Sequence, residues 1–494
     1  MDQSRAPYFQ ALLDYVDAGV IPFHTPGHKQ GIGMDRAFRE FVGDNIASID
    51  LTPMPGIDDL LQPTESILEA QQLAAEAYGA DRTYFLINGS TSGNQCMLMT
   101  AADPGDAVAV PRNSHKSLLG SLVMSGARPI YMQPEVDEAL HMDHTVTPAT
   151  VERTLQEHPG VKAIYIVSPT YYGVAADLES IVKLVHAHDK MVLVDEAWGP
   201  HFHFHPRLPI SATAAGADLC INSTHKMLSS FSQTAMLHQI GSRVRLDRLD
   251  AVLKLFLSTS PNLPMVASLD VARRQMATQG EALLTKTIDL ANETRLRLNA
   301  IPRVYCFGEE LKGREGVFDL DPTKITITVK DLGYTGYEAS AILRRRYNVQ
   351  VELADLFNVV ALFTIGTTQT AADRLVFGVS ELAREDRAVD IFSPSGVLER
   401  RLKTGTYKLP KTPAMRMLPR DAFLAQTESI KFKSSKGRIC AEIITPYPPG
   451  IPVIAPGEEI TPEIIDYLDL ELRAGVHMQG PFDPELKRIR VVKE

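Results

Sequence analysis

Through its first two-thirds this chain alternates short apolar runs of strand character with amphipathic helical patterns, and few folds tolerate that alternation. It is the signature of a mostly parallel, doubly wound sheet with helices on both faces, so the fold class expected is α/β. "TYFLI" (83–87), "DAVAV" (106–110), "ARPIYM" (127–132), "VKAIYIVS" (161–168), "MVLVDEA" (191–197) and "ADLCINS" (217–223) read as strands. Their unbroken apolar character suits strands covered on both sides. "DLESIVKLVHAH" reads as an intervening helix, and "TESILEAQQLAAEAYG" as another, with a Ser66/Glu69 capping box and Gly79 as its stop. "NGSTSGN" (88–94) reads as a loop into the next helix, whereas "INSTHKMLSSFSQTAML" (221–237) begins as a strand and ends with helical character.

At 494 residues the chain exceeds what one core sustains, so two or three domains are expected. The boundaries predicted are 1–300 for an N-terminal segment and large domain, 301–400 for a smaller α+β domain, and 401–494 for a linker and C-terminal module. "KITITV", "TGYEASAILRRRYNV" and "VVALFTIG" define the small domain; "YKLPKTPAMRMLP" reads as the linker. The proline- and glycine-dense "ITPYPPGIPVIAPGEEITPE" is flanked by apolar residues and reads as ordered. The formal charge of -10 is spread without blocks, which argues against a nucleic-acid or anionic-membrane surface. The first residues carry charges inside their apolar run, unlike a secretory signal, and no later run is long enough to span a bilayer. Four isolated cysteines fit no zinc or redox spacing, so buried free thiols and a cytoplasmic setting are expected.

Chemistry enters at the strand ends, where a doubly wound sheet opens to a cleft. Lys226 follows "DLCINS", Asp195 ends "MVLVDEA", and His115 follows "DAVAV". Each has an ordinary reading: a solvated loop lysine, a metal-binding or helix-capping aspartate, a histidine at a helix start. "NGSTSGN", with Ser90, Thr91 and Ser92, suits a phosphate at a helix N-terminus but equally suits a plain turn. Together they meet one need. Pyridoxal phosphate requires an amine to hold it as a Schiff base, an acid at its ring nitrogen, a flat partner and a phosphate cup. A carboxylate about 4 Å from a pyridinium is worth roughly 4 kcal/mol at an effective dielectric of about 20.

"STHKMLSSFSQ" resembles the lysine motif of the Orn/Lys/Arg decarboxylases, bacterial enzymes with the aspartate-aminotransferase type fold (PLP-dependent transferase fold type I). "PFHTPGHKQG", "GIDDLLQPTESILEAQ", "RNSHKS", "DEAWGPHFHFHP", "STSP", "VELADLFNVVALFTIGTT" and "AEIITPYPPGIPVIAPGE" are similar to family segments in the family order. The resemblance implies that Lys226 binds the cofactor, Asp195 pairs with its ring nitrogen and His115 stacks on the ring. Ser90, Thr91, Ser223 and His225 would contact the phosphate, and Trp198 and His201 would line the pocket. Thr259 would reach the phosphate of a neighbouring subunit in a homodimer. Glu352 resembles the family's acid near the substrate's distal cation and equally fits a surface glutamate at a strand end. The early position of "HTPGHK" resembles the short form without a wing domain, and "FSQT" departs from the family pattern in having Ser232 where glycine is common.

The implied reaction is decarboxylation of a basic L-amino acid: arginine to agmatine, for polyamine biosynthesis, with lysine and ornithine as alternatives. An aminotransferase or lyase on this fold would use an arginine for the substrate carboxylate, and "RRRYN" (344–348) reads instead as helix surface. A different class, a metal hydrolase, is suggested by "HFHFH": in a strand His201, His203 and His205 would share one face. His24 and His28 have helical ligand spacing, but the Pro-Gly between them spoils it, and no metal is expected.

Overall fold

The computed structural model describes residues 1–385, 396, 410–447 and 450–494. The architecture is α/β with a mostly parallel central sheet. The chain divides into two compact units, Met1–Ala101 with Met191–Thr285, and Ala102–Lys190 with Lys286–Glu494.

In the first unit the strands run in the order Arg82–Leu86, Ala235–Gln239, Leu219–Asn222, Met191–Asp195. The last two are parallel and the other neighbours antiparallel. The long helix Leu263–Asn299 starts in this unit, where Leu263, Val266 and Leu269 pack with Phe85, Met236, Tyr8 and Leu12. Three local readings are corrected. "NGSTSGN" lies in the first turns of helix Gly89–Ala101, because Gly93 lets that helix close onto the sheet: a Cβ there would overlap Ile221 Cδ1. The residues after Lys226 end in strand Ala235–Gln239, whose partners Leu219–Asn222 and Arg82–Leu86 bury it on both edges. The Ser66/Glu69 capping box does not form. Instead the Asp58 carboxylate accepts the backbone N–H groups of Thr64, Glu65 and Ile67 at 2.9–3.0 Å, capping helix Ser66–Tyr78 from outside its own sequence.

The second unit contributes parallel strands Ala163–Val167, Ala107–Pro111 and Arg128–Met132. It also carries an antiparallel sheet ordered Tyr305–Cys306, Lys324–Thr328, Asn358–Leu362, Leu353–Ala354, with helices Gly336–Tyr347 and Gln369–Arg384 against it. Arg344, Arg345 and Arg346 are exposed on the first of these helices. Thr335 and Glu338 cap that helix reciprocally. Phe432, Ile444, Ile454, Ile464, Leu468, Ile489 and Val491 of the C-terminal segment share one core with Leu356 and Phe357, so its proline-rich stretch is ordered over the described residues. The start of the expected linker, up to residue 409, lies outside them. Among the described residues no helix is long and apolar enough to cross a membrane, and Cys96, Cys220, Cys306 and Cys440 are buried free thiols.

Gly336 opens its helix beneath two backbone carbonyls, those of Asp355 and Asn358, and any Cβ would overlap both oxygens. Backbone cannot move aside as a flexible side chain can. Gly336→Ala is therefore expected to destabilise by roughly 1–3 kcal/mol, measured as a lowered midpoint in urea unfolding.

Candidate active site

The first unit gathers nearly all the residues proposed from sequence. Asp195 closes strand Met191–Asp195 and is only 5% exposed. Its Oδ2 accepts from Asn94 Nδ2 at 2.9 Å and its Oδ1 from the Ala197 backbone N–H at 3.1 Å. These two donors, one to each oxygen, fix the orientation of the carboxylate. Three residues on, Trp198 is buried, and the Lys226 ammonium lies 3.8 Å from its ring centroid. A cation over an indole face is attracted by the ring quadrupole. Lys226 sits in a single helical turn, Thr224–Met227, directly after the buried strand Leu219–Asn222.

A hydroxyl pair lies beside that turn. Ser223 Oγ donates to Ser90 Oγ at 2.7 Å, joining the residue before the lysine turn to the first turn of helix Gly89–Ala101. A 13-residue helix presents first-turn N–H groups and the positive end of its dipole there, a setting suited to a phosphate. Thr91 is exposed on the same turn, whereas Ser92 is buried and spends its hydroxyl on Gly89 O at 2.9 Å. His225 donates from Nδ1 to Thr234 O at 2.7 Å; burial first, then the Lys226 charge, lower its pKa. His201 is fully buried beside Phe202. Thr259 is exposed in the loop after helix Leu246–Phe256.

Two predicted residues belong to the second unit. His115 is the N-cap of helix Lys116–Ser125, accepting from Ser117 N–H at 3.2 Å. Glu352 is exposed, with its backbone N–H on Val360 O at 2.9 Å. The strand reading of "HFHFH" is overturned: Phe202–Phe204 is a 3-10 turn, which rotates the three histidines apart. His203 bonds Ser211 and His205 bonds Thr285. Among the described residues no three His, Cys, Asp or Glu side chains form a metal-binding group.

Sequence reasoning missed Asn94 and a polar network behind the site. Glu196 accepts from Ala212 N–H at 2.7 Å and from Asn222 Nδ2 at 2.9 Å. Asn222 Oδ1 takes the Nε2 proton of His238 at 3.0 Å, and His238 Nδ1 accepts from Thr83 at 2.8 Å. Burial holds His238 neutral, with its pKa lowered to about 3, and the Asn222 amide, whose Nδ2 is turned to Glu196, selects that tautomer. Asn94 lay within "NGSTSGN". Ser90 and Asn94 are four apart and share a helix face, a signal hidden by reading the segment as a loop.

Burial pushes the Glu196 carboxyl up to about 7 from 4.5, against the donors that favour its charge. With the folded pKa above the unfolded one, the native state holds the extra proton between these values. This group's contribution to stability therefore falls as pH rises through that window and levels off above about 7. Between about pH 5 and about pH 8, the parent protein should lose more melting temperature than Glu196→Gln.

Residues 6–371 match the model of the Orn/Lys/Arg decarboxylase major domain, and residues 401–493 match that of the Orn/Lys/Arg decarboxylase C-terminal domain. The arginine decarboxylase of Bacillus subtilis (strain 168) is 45% identical over 495 residues, covering 100% of this chain and 99% of that protein. The structure of lysine decarboxylase A from Pseudomonas aeruginosa superposes with a TM-score of 0.84 at 26% identity, over 99% of this chain and 80% of that one. Alanine–glyoxylate aminotransferase from Nostoc sp. shares the fold alone, with a TM-score of 0.53 at 18% identity over 68% of this chain and 93% of that one. Matched along nearly its whole length, and with lysine and aspartate brought to neighbouring strand ends, the chain belongs to the Orn/Lys/Arg decarboxylase family.

Proposed function

We propose that the protein decarboxylates L-arginine to agmatine and carbon dioxide, using pyridoxal phosphate. The observation that carries the cofactor reading is the Lys226 amine seated on Trp198, three residues from an Asp195 already oriented by Asn94 and Ala197. These residues fit the group: a primary amine for its aldehyde, a buried acid for its ring nitrogen, and a hydroxyl-lined helix N-terminus for its phosphate. Lys226 would bind the cofactor, Asp195 would hold the ring nitrogen's proton, and His115 would stack. Ser90, Thr91, Ser223 and His225 would form the phosphate cup, Ser92 serving only through its backbone because its hydroxyl is held by Gly89 O, with Trp198 and His201 as pocket walls. The bound cofactor supplies the electron sink that lets the carboxyl group leave as carbon dioxide.

The chain's own groups do the rest. Asp195 accepts an N–H while Asn94 and Ala197 keep its plane fixed, so no reorganisation is needed as charge develops. Lys226, set free from its resting position, is the amine placed to carry a proton to the substrate Cα; a nearby histidine is the alternative donor. Glu352 is proposed to meet the substrate's distal cation. In a homodimer, the form proposed here, Thr259 would serve the neighbouring subunit's phosphate. We take residues 1–300 as the cofactor-binding part, 301–400 as the small domain and 401–494 as the C-terminal module, in a cytoplasmic enzyme of polyamine synthesis.

Arginine is favoured because the chain is more similar to the Bacillus subtilis arginine decarboxylase than to the lysine decarboxylase LdcA of Pseudomonas aeruginosa, 45% against 30% identity. Initial rates on arginine, lysine and ornithine, with the amine identified, test this. Arginine should give the largest kcat/KM; a preference for lysine would overturn the substrate and leave the cofactor chemistry standing. Asp195→Asn should lower kcat/KM by up to about a thousandfold, following from the roughly 4 kcal/mol of charge pairing at about 1.4 kcal/mol per factor of ten. Near-parental turnover would remove Asp195 from its role.

A further inference from the structure

A cavity of about 300 Å³ lies wholly within the second unit, and none of the residues assigned above to cofactor or substrate lines it. Its wall sets three carboxyl groups, Asp143, Asp355 and Glu471, among the aromatic rings of Tyr172, Tyr337 and Phe357. The three acids differ in what they already hold. Asp355 accepts from the Tyr172 hydroxyl and from the Phe357 and Asn358 backbone N–H groups, all at 2.7 Å. Glu471 accepts from the Tyr337 hydroxyl at 3.3 Å. Asp143, facing the cavity, has no hydrogen-bond or ion-pair partner among the described residues.

The low-dielectric surroundings disfavour charge on both acids: burial pushes Asp143 up to about 6 and Glu471 up to about 7. The basic groups of the wall make no ion pair with these acids among the described residues, although the Arg112 charge favours ionised Asp143. Arg112 directs its guanidinium at Pro452 O, Val453 O and Glu458. His141 stacks on Phe357 at 4.0 Å, and burial lowers its pKa to about 4, so it is neutral. Lys411 is exposed.

Carboxyl groups interleaved with aromatic faces repel anions and suit a cation, which gains from both. A bare metal ion does not fit, since no metal-binding trio forms among the described residues. Apolar side chains such as Leu356 and Val453 complete the wall, so the cation needs an apolar stem. We propose that this cavity is a second binding site for a short aliphatic cation with an amine or guanidine head, separate from the Lys226 site. The proposal does not depend on which amino acid the enzyme decarboxylates.

Such a cation could be the amine product of a basic amino acid or a longer polyamine, and agmatine and spermidine distinguish the two. Calorimetric titration of the cofactor-loaded, full-length protein with each should reveal binding by at least one of them that weakens roughly tenfold or more in Asp143→Asn. Glu471→Gln is the independent second variant and should weaken the same binding. Agmatine alone binding in this way points to a product site, spermidine alone to a polyamine site. If neither variant alters the binding of either cation, or neither cation binds, the cavity has no such role. The measurement requires no turnover, so its failure and that of the substrate assignment are distinguishable.

Discussion

Everything in the first unit answers to a carboxylate at the buried end of an apolar strand. A carboxylate buried there costs free energy unless donors meet it. The Ala197 backbone and the Asn94 side chain, from helix Gly89–Ala101, both donate to it. For Asn94 to reach, the helix must lie against the sheet, and Gly93 permits that approach over Ile221. The helix must also begin abruptly. Gly89, at φ +70°, turns the chain and donates its N–H to Gln233 O at 2.8 Å. The same close approach brings Ser90 to Ser223, so the acid and the hydroxyl pair are positioned by one packing contact.

Much of this was legible beforehand, because the strands are long apolar runs and few alternatives bury such runs. Lys226 and Asp195 were found by their place at strand ends, where a parallel sheet exposes chemistry. What escaped was non-local. "NGSTSGN" has the glycine and serine content of a turn, and only tertiary packing of Cys96, Met97 and Leu98 makes it helical. The segment "TAML" is too short and apolar to separate strand from helix by period, and its pairing decides. Asp58 replaced a local capping box from outside the helix it caps, a choice no local pattern reveals. The Glu196–Asn222–His238 network required knowing the register of Ala235–Gln239 against Leu219–Asn222.

The two units bury acid in opposite ways. Behind the first site, Glu196 is met by backbone and amide donors within a chain of bonds that ends at Thr83. Such a closed network rigidifies its surroundings. In the second unit, Asp143 faces a cavity with no hydrogen-bond or ion-pair partner among the described residues, which leaves a place for something other than protein.

The ring beneath the Lys226 ammonium belongs to Trp198, the chain's sole tryptophan. All indole emission from the protein therefore originates a few ångströms from the reactive amine. The molecule carries its own optical gauge of that nitrogen, readable without label or substrate.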